Sequence, residues 1–312
     1  MGTPLIELTQ SSSRHAFKGL TRAVNLRVGV DGRVWVADND ARAIFTFDST
    51  GKSLGDVGGD DNLGFMSDFV MLDSAVVVLD TGRTLSRVSL AGNPLVAHRE
   101  IGYEQALGVL GPDRVLMASS VQWTGPARDG TRPWALARVV SADGDSLLEL
   151  GRRAPGKNPF VAHIANFVLP AGSGNGQYVW LAYLNSPDVS LFTSSGRLIR
   201  RVERNIPFGW RAIDSSFVPR SGALSPVFDG ISYSIASDTA GTAYVLTALG
   251  PMAKRSEPTA MGIDMLSKDP LVPVRRFSFT GTATHVAVSP SGSRLYLLDS
   301  HRNSVRTFAG PR

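Results

Sequence analysis

The chain has 312 residues, 43% of them apolar, with 32 Lys and Arg against 27 Asp and Glu and a formal charge of +5. That is enough apolar sequence for a large core, and basic residues in no long run argue against a nucleic-acid or membrane-surface footprint. There is no cysteine, which excludes disulfides, thiolate metal sites and a cysteine nucleophile, and no apolar run approaches the roughly 20 residues of a membrane-spanning helix.

From the N-terminus, "GTPLIELTQ" reads as strand within a few residues of Met1, with no signal peptide ahead of it. The chain is therefore read as a mature extracytoplasmic domain, periplasmic or secreted, given without its leader, or else as a cytoplasmic protein. Next comes "AVNLRVGV", a "DG" turn, "RVWVAD", a polar corner, "AIFTFDSTG" and "KSLGDV". These are four short strands separated by turn residues. The pattern returns as "DFVML", "AVVVLD", "LSRVSLAG", "PLVAHREI", and again as "ALGVL", "RVLMAS", "ALARVVSADG", "SLLELG". A fourth unit runs "ANFVLP", "YVWLAYL", "VSLFTSSG", "LIRRVE", and a fifth "ISYSIAS", "TAYVLTAL", "MGIDMLS", "LVPVRRFSF". The sixth, "HVAVSP", "RLYLLDS", "SVRTFAG", ends one strand short.

A Gly turn opening the last strand of each unit marks the period, at Gly51, Gly92, Gly144 and Gly196, with Asp269 in its place in the fifth unit. Because Gly2 to Leu5 repeats the "G-x-x-L" of Gly92 to Leu95, residues 4–9 are expected to supply the strand that the sixth unit lacks. The second strands are unbroken apolar runs, as sheets packed on both faces require. The expected fold is all-β: one domain spanning 1–312, a six-bladed β-propeller of four-stranded antiparallel blades, closed by the N-terminal strand joining the C-terminal blade. A pair of β-sandwiches or a seven-bladed ring are the alternatives.

"GRVWVADNDARAIFTFDSTGKSL" (residues 32–54) and "HVAVSPSGSRLYLLDSHRNSVRTFAG" (285–310) resemble the NHL-like repeats of six-bladed propellers. The resemblance implies the fold and leaves function open.

In such a ring the connections between second and third strands, and between blades, share one face. That face holds the insertions, 55–66, 119–133, 151–163, 203–228 and 249–260, whereas the opposite face has short turns. One-sided elaboration points to a recognition surface. Its loops carry Trp123, Trp134 and Trp210 with Arg128, Arg132 and Arg211, residue types that anchor binding surfaces. The inner strands begin on the same face, placing Asn25, Asp68, Gln105, His163 or Asn166, Tyr233 and His285 around the channel mouth. The site expected here has Asp68, Gln105, His163, Asn166, Tyr233 and His285 as its floor and Trp123, Trp210 and Arg211 as its walls.

Two enzymatic alternatives use a metal at the same mouth. His15, His163 and His285 could converge on zinc, and amidating lyases with NHL-like repeats imply zinc on inner-strand His residues with a catalytic Tyr, here Tyr233. Gluconolactonase-like propellers imply calcium held by Asn25, Asn166 and Asp68 or Asp229, but their opening Glu-Gly-Pro segment is absent. No G-x-S-x-G occurs, and "GSGNG" at 172–176 lies in a turn with no following helix. The reading is a monomeric, non-enzymatic binding propeller without a resident cofactor, taking a small molecule, glycan or protein on its elaborated face. The alternative is a metal-dependent hydrolase or lyase.

Overall fold

The computed structural model describes residues 5–8, 17–59, 63–81, 84–91, 94–100, 104–119, 135–153, 164–212, 229–252 and 258–311, with backbone alone at 5, 94–100, 104, 105 and 119. A first strand, β1 (Leu5–Glu7), is followed by six meandering sheets. The first is β2 (Ala23–Val28), β3 (Val34–Asp38), β4 (Ala43–Phe47) and β5 (Ser53–Gly58). The second is β6 (Met66–Met71), β7 (Ala75–Asp80), β8 (Thr84–Ser89) and β9 (Pro94–Glu100). The third is β10 (Glu104–Leu110), β11 (Arg114–Ser119), β12 (Ala137–Ser141) and β13 (Ser146–Leu150). The fourth is β14 (Val168–Gly172), β15 (Tyr178–Tyr183), β16 (Asp188–Thr193) and β17 (Leu198–Glu203). The fifth is β18 (Ser232–Ser237), β19 (Ala243–Ala248), β20 (Met261–Leu266) and β21 (Arg275–Ser278). The sixth is β22 (His285–Val288), β23 (Arg294–Asp299) and β24 (Ser304–Ala309). Among the described residues helix is confined to Ile164 and Ala165, and none is long and apolar enough to cross a membrane.

The repeated Gly turns have a common chemistry. In "DSTGK", "SADGD" and "TSSGR" the Gly N–H donates to the carbonyl three residues back, at Asp48, Ser141 and Thr193, over 2.9–3.0 Å. The side chain of that first residue caps the turn: Asp48 Oδ1 accepts from Thr50 N at 2.8 Å and Thr193 Oγ1 from Arg197 N at 3.1 Å. Gly51 sits at φ 91°, where a side chain would be strained. This is the loop that couples a tight turn to a left-handed Gly and keeps the strand twist. The spacing of those glycines in the sequence is thus the spacing of the hairpins.

The second strands are buried along their centres, and Val34–Asp38 and Ala243–Ala248 over their whole length. The apolar side chains sort into one cluster per blade interface. Trp35, Ile44, Phe69 and Val78 join blades one and two, and Leu79, Leu107 and Val115 join two and three. Leu116, Val139 and Leu181 join three and four, Trp180, Val245 and Leu266 four and five, and Tyr244, Phe277 and Leu297 five and six. Phe17, Leu26, Val36, Tyr296 and Leu298 join six back to one. That last cluster closes the six-bladed ring. Where blades three and four meet, a Cβ added at Gly172 would lie 2.0 Å from Val109 O, so only glycine allows this approach of inner strands.

The N-terminal strand serves the closing end of the ring with a different partner from the one expected. β1 runs parallel to β21, Leu5 opposite Arg276 and Glu7 opposite Ser278, and Leu8 N donates to Ser278 O at 2.9 Å. It is thus a fifth strand on blade five, and among the described residues blade six keeps three. Residues 4 and 9 lie outside the described set. A short apolar strand fits either outer edge, because its alternation specifies a face and not a partner. The edge of β21 lets Leu8 join Phe279 and Phe308 over the seam between blades five and six.

Blades four and five are also tied by buried charge. Asp264 accepts from Arg276 Nε at 2.6 Å and Nη2 at 2.9 Å, and lies 3.3 Å from Arg204 Nη1. Arg204 further donates to Pro187 O, Thr247 Oγ1 and Ser232 Oγ. Burial pushes the Arg204 guanidinium below its ordinary pKa while Asp264 holds it up.

Candidate functional site: the mouth of the axial channel

The inner strands β2, β6, β10, β14, β18 and β22 pair on one side only, so each would leave backbone groups unpaired toward the axis. Side chains from the same strands satisfy several of them. Asp68 Oδ1 accepts from Phe69 N at 2.7 Å and Arg27 Nη2 at 2.8 Å, and also from Asn25 Nδ2. Asp68 Oδ2 accepts from Leu107 N at 2.7 Å. Arg27 donates from Nε to Phe69 O and from Nη2 to Leu107 O, each at 3.0 Å. Ser234 Oγ accepts from Val286 N at 3.2 Å. Asn25, Arg27 and Asp68 thereby knot blades one, two and three together across the axis.

Two cavities meet at this knot, sharing Arg27, Pro170 and Ile235. On the side of the inner-strand starts, a polar cavity of about 400 Å³, mouth included, is lined by Asn25, Ser67, Asp68, Tyr233, Ser234 and His285 with Arg27 at its base. Toward the opposite face lies a second cavity of about 520 Å³, its open mouth included, lined chiefly by aliphatic residues and again reaching Arg27. Arg27 belongs to both.

The ring residues fall into two chemical groups. Asn25 and Asp68 are buried and engaged with one another and with backbone. Burial pushes the Asp68 carboxyl above the usual carboxylate range, against the pull of Arg27 and of the Leu107 and Phe69 N–H groups. Ser67, Tyr233 and His285 keep unused capacity. Ser67 Oγ donates to Leu79 O at 3.0 Å, which leaves it free to accept. Among the described residues Tyr233 Oη makes only a weak donation, to Met252 Sδ at 3.1 Å. Burial, with the Asp229 carboxylate nearby, pushes its phenol up to about 12. His285 Nδ1 lies 3.2 Å from Thr284 Oγ1, and Nε2 has no partner among the described residues. Burial first, then the Arg27 guanidinium, lowers the His285 pKa to about 3. At neutral pH the mouth thus presents a neutral imidazole, a protonated phenol and a hydroxyl beside a compensated ion pair.

Of the residues expected from sequence, Asp68, Tyr233 and His285 meet in this cavity. Asn166 is buried but does not line it. Gln105 falls in β10 with its side chain outside the described residues, and Trp123, His163, Trp134, Arg128, Arg132 and His15 lie outside them altogether. Trp210 is half-buried and Arg211 exposed in the segment after β17. Arg211 N donates to Asp229 Oδ2 at 2.7 Å, and neither residue lines the cavity. Arg27, Ser67 and Ser234 were missed by sequence reasoning. Arg27 could have been found, because it stands two residues from Asn25 on an inner strand and so shares its face.

Of the calcium donors suggested by sequence, Asn25 and Asp68 are bonded to each other, and Asp229 is paired with Arg211 at 3.5 Å. Among the described residues no three His, Asp or Glu form a group able to hold a metal ion. His15 and His163 of the zinc alternative lie outside them.

No protein-family model matches the sequence, and no curated protein does. Among solved structures, the hydrazine synthase of Kuenenia stuttgartiensis is similar to this chain with a TM-score of 0.53 and 12% identity, over 93% of this chain and 77% of that one. Likeness at this identity concerns the propeller fold alone.

Proposed function

We propose that the protein is a non-enzymatic, extracytoplasmic binding propeller that takes a small, uncharged, polar ligand at the channel mouth, on the face where the insertions cluster. The observation that carries this reading is the company of Ser67, Tyr233 and His285 in one cavity, each with hydrogen-bonding capacity that folding leaves unspent. Tyr233 and His285 are half-buried and Ser67 is exposed, so among the described residues this capacity faces an open cavity, where a ligand can take the place of water. The charge balance favours a neutral one. Arg27 is compensated by Asp68 at 2.8 Å, and an imidazole held neutral offers one donor or acceptor in place of a charge. A sugar hydroxyl or an amide has the matching chemistry, and the Tyr233 ring supplies an apolar face.

A thermal-shift screen of neutral monosaccharides and small amides tests this, with titration of any hit against Tyr233→Phe and His285→Asn. The expected result is a neutral binder weakened at least tenfold by either substitution, with little change in melting temperature. A hit that binds both variants as it binds the parent chain would remove the mouth from consideration.

A further inference from the structure

The geometry points to a second binding site that adjoins the mouth at Arg27, Pro170 and Ile235: the opposite half of the channel is a socket for a short aliphatic carboxylate, its head group on Arg27. Every residue lining this half is described, and Arg27 is the sole ionisable side chain among them. The others include Val28, Val70, Val109, Ile235 and Val288, so the side chains of the wall are chiefly apolar, interleaved with inner-strand backbone, and the single charge lies at its inner end. The Arg27 head is not exhausted. Nε and Nη2 are committed to Phe69 O, Leu107 O and Asp68, whereas Nη1 has no hydrogen-bond partner among the described residues.

Asp68 sets the polarity of the socket, because it lines the mouth cavity and not this one. The ion pair is therefore a dipole along the axis with its cationic end toward the apolar half. A carboxylate arriving from that side meets the guanidinium first, and charge-assisted bonding of carboxylate to Arg is the stronger kind. Among the carboxylates of the turns on that side, Asp73 is exposed and screened by solvent, and the others are engaged. Asp31 lies 3.2 Å from Arg33 and Asp113 3.8 Å from Arg114, while Asp238 accepts from Thr242 N and Tyr244 Oη. The alkyl tail would then lie among the valines and isoleucine. Burial of each methylene should tighten binding about fourfold.

Titration calorimetry of the full chain with hexanoate, butanoate, hexanol and hexylammonium reads this directly. Hexanoate should bind in a saturable way, more tightly than butanoate by about sixteenfold for its two extra methylenes, and more tightly than hexanol, with hexylammonium not binding. Ala236→Phe, at a half-buried position that lines the socket and also packs against the cluster joining blades five and six, should abolish hexanoate binding, with circular dichroism and an unchanged melting temperature confirming that the fold is retained. Arg27→Met should erase the preference for acid over alcohol, and Ala236→Phe keeps the test decisive if that variant fails to fold. His285→Asn, which alters the mouth alone, should leave hexanoate binding unchanged, so the two sites fail separately. Equal binding of acid, alcohol and amine, binding that survives Ala236→Phe, binding lost in His285→Asn, or no saturation at millimolar hexanoate would each overturn the proposal.

Discussion

Asn39 and Asn303 do the same work in the first and last blades. Asn39 Oδ1 accepts from Met66 N at 2.8 Å and its Nδ2 donates to Met66 O at 3.0 Å, holding the start of blade two. Asn303 Oδ1 accepts from Ala23 N at 3.0 Å and its Nδ2 donates to Thr21 O, holding the start of blade one. One side-chain amide, with donor and acceptor on a single plane, fits a backbone N–H and C=O together. The second clasp joins residues 280 or more positions apart and helps to close the ring. Asn303→Ala should destabilise by about 1–3 kcal/mol, from lost bonds and unpaired backbone. Asn303 also sits at φ 47°, so Asn303→Gly, which relieves that strain, separates the clasp from the backbone term. Urea melts of the two variants decide it, and equal stability of Asn303→Ala and the parent chain would refute a closing role.

Removal of residues 1–10 tests the position of the N-terminal strand. The loss takes the parallel ladder on β21 and uncovers the seam where Leu8, 8% exposed, meets Phe279 and Phe308. Burial of one leucine contributes about 1.5–3 kcal/mol, so the truncated chain should melt cooperatively at a lower temperature. Amide exchange should rise at Arg276 and Ser278 of β21. Protection lost from Ser304–Ala309 with β21 unaffected would restore the pairing expected from sequence.

The architecture was legible because each element repeats a local chemical rule. Turn glycines recur in the first four units and apolar second strands in all six, and repetition removes the ambiguity that a single short strand carries. The N-terminal strand has no such support. "LIEL" carries face information but nothing that selects β21 over β24. The mouth was legible as an address, and Asp68, Tyr233 and His285 were named from it. Their roles were not legible, because the pairing of Asp68 with Arg27 and Asn25 joins two blades, reaches the third through Leu107, and depends on registers that only the fold supplies. Arg204, Asp264 and Arg276 escaped notice for the same reason.

Asp264 stands between two guanidinium groups with its side chain fully buried. Asp264→Asn keeps the shape but leaves both positive charges uncompensated, a loss of about 3–5 kcal/mol. The replacement of all three residues by apolar ones of similar size should recover much of it, since such triads contribute little beyond their hydrophobic counterparts. Denaturant midpoints of the single and triple variants measure both. A triple variant less stable than Asp264→Asn would show that the Arg204 bonds to Pro187 O, Thr247 and Ser232 outweigh the ion pairing.

His285 gives stability a pH dependence of known sign. Its folded pKa of about 3 lies below the unfolded value near 6.5, so between these limits the unfolded chain binds a proton that the folded chain refuses. The contribution is complete above about pH 6.5 and falls away as pH drops toward 3. In His285→Asn that slope should vanish, and the stability difference between parent and variant should shift steadily against the parent from pH 6.5 to 4. Asp38 and Asp188, held below the carboxylate range by hydrogen bonds, also lose stability in acid, but equally in both proteins. Parallel pH profiles for the two would show an imidazole hydrated well enough to protonate in place.

Asp68 separates a structural ring from a recognition ring most sharply. The sequence placed it on the binding floor beside Tyr233 and His285, and the fold gives its two oxygens four donors, Asn25, Arg27, Phe69 and Leu107. A carboxylate so committed has little left for a ligand. Asp68→Asn turns one acceptor into a donor facing another donor, and it releases Arg27, whose side chain is 19% exposed, without its counter-charge. The expected cost is about 3–5 kcal/mol, with the affinity of a mouth ligand changed less than tenfold wherever the variant remains folded. Tyr233→Phe should behave in the opposite way, losing ligand affinity with stability nearly unaltered, because its hydroxyl donates only to a thioether. A stable Asp68→Asn that no longer binds would return Asp68 to the recognition surface and leave the joining of blades one to three to the Arg27 bonds with Phe69 O and Leu107 O.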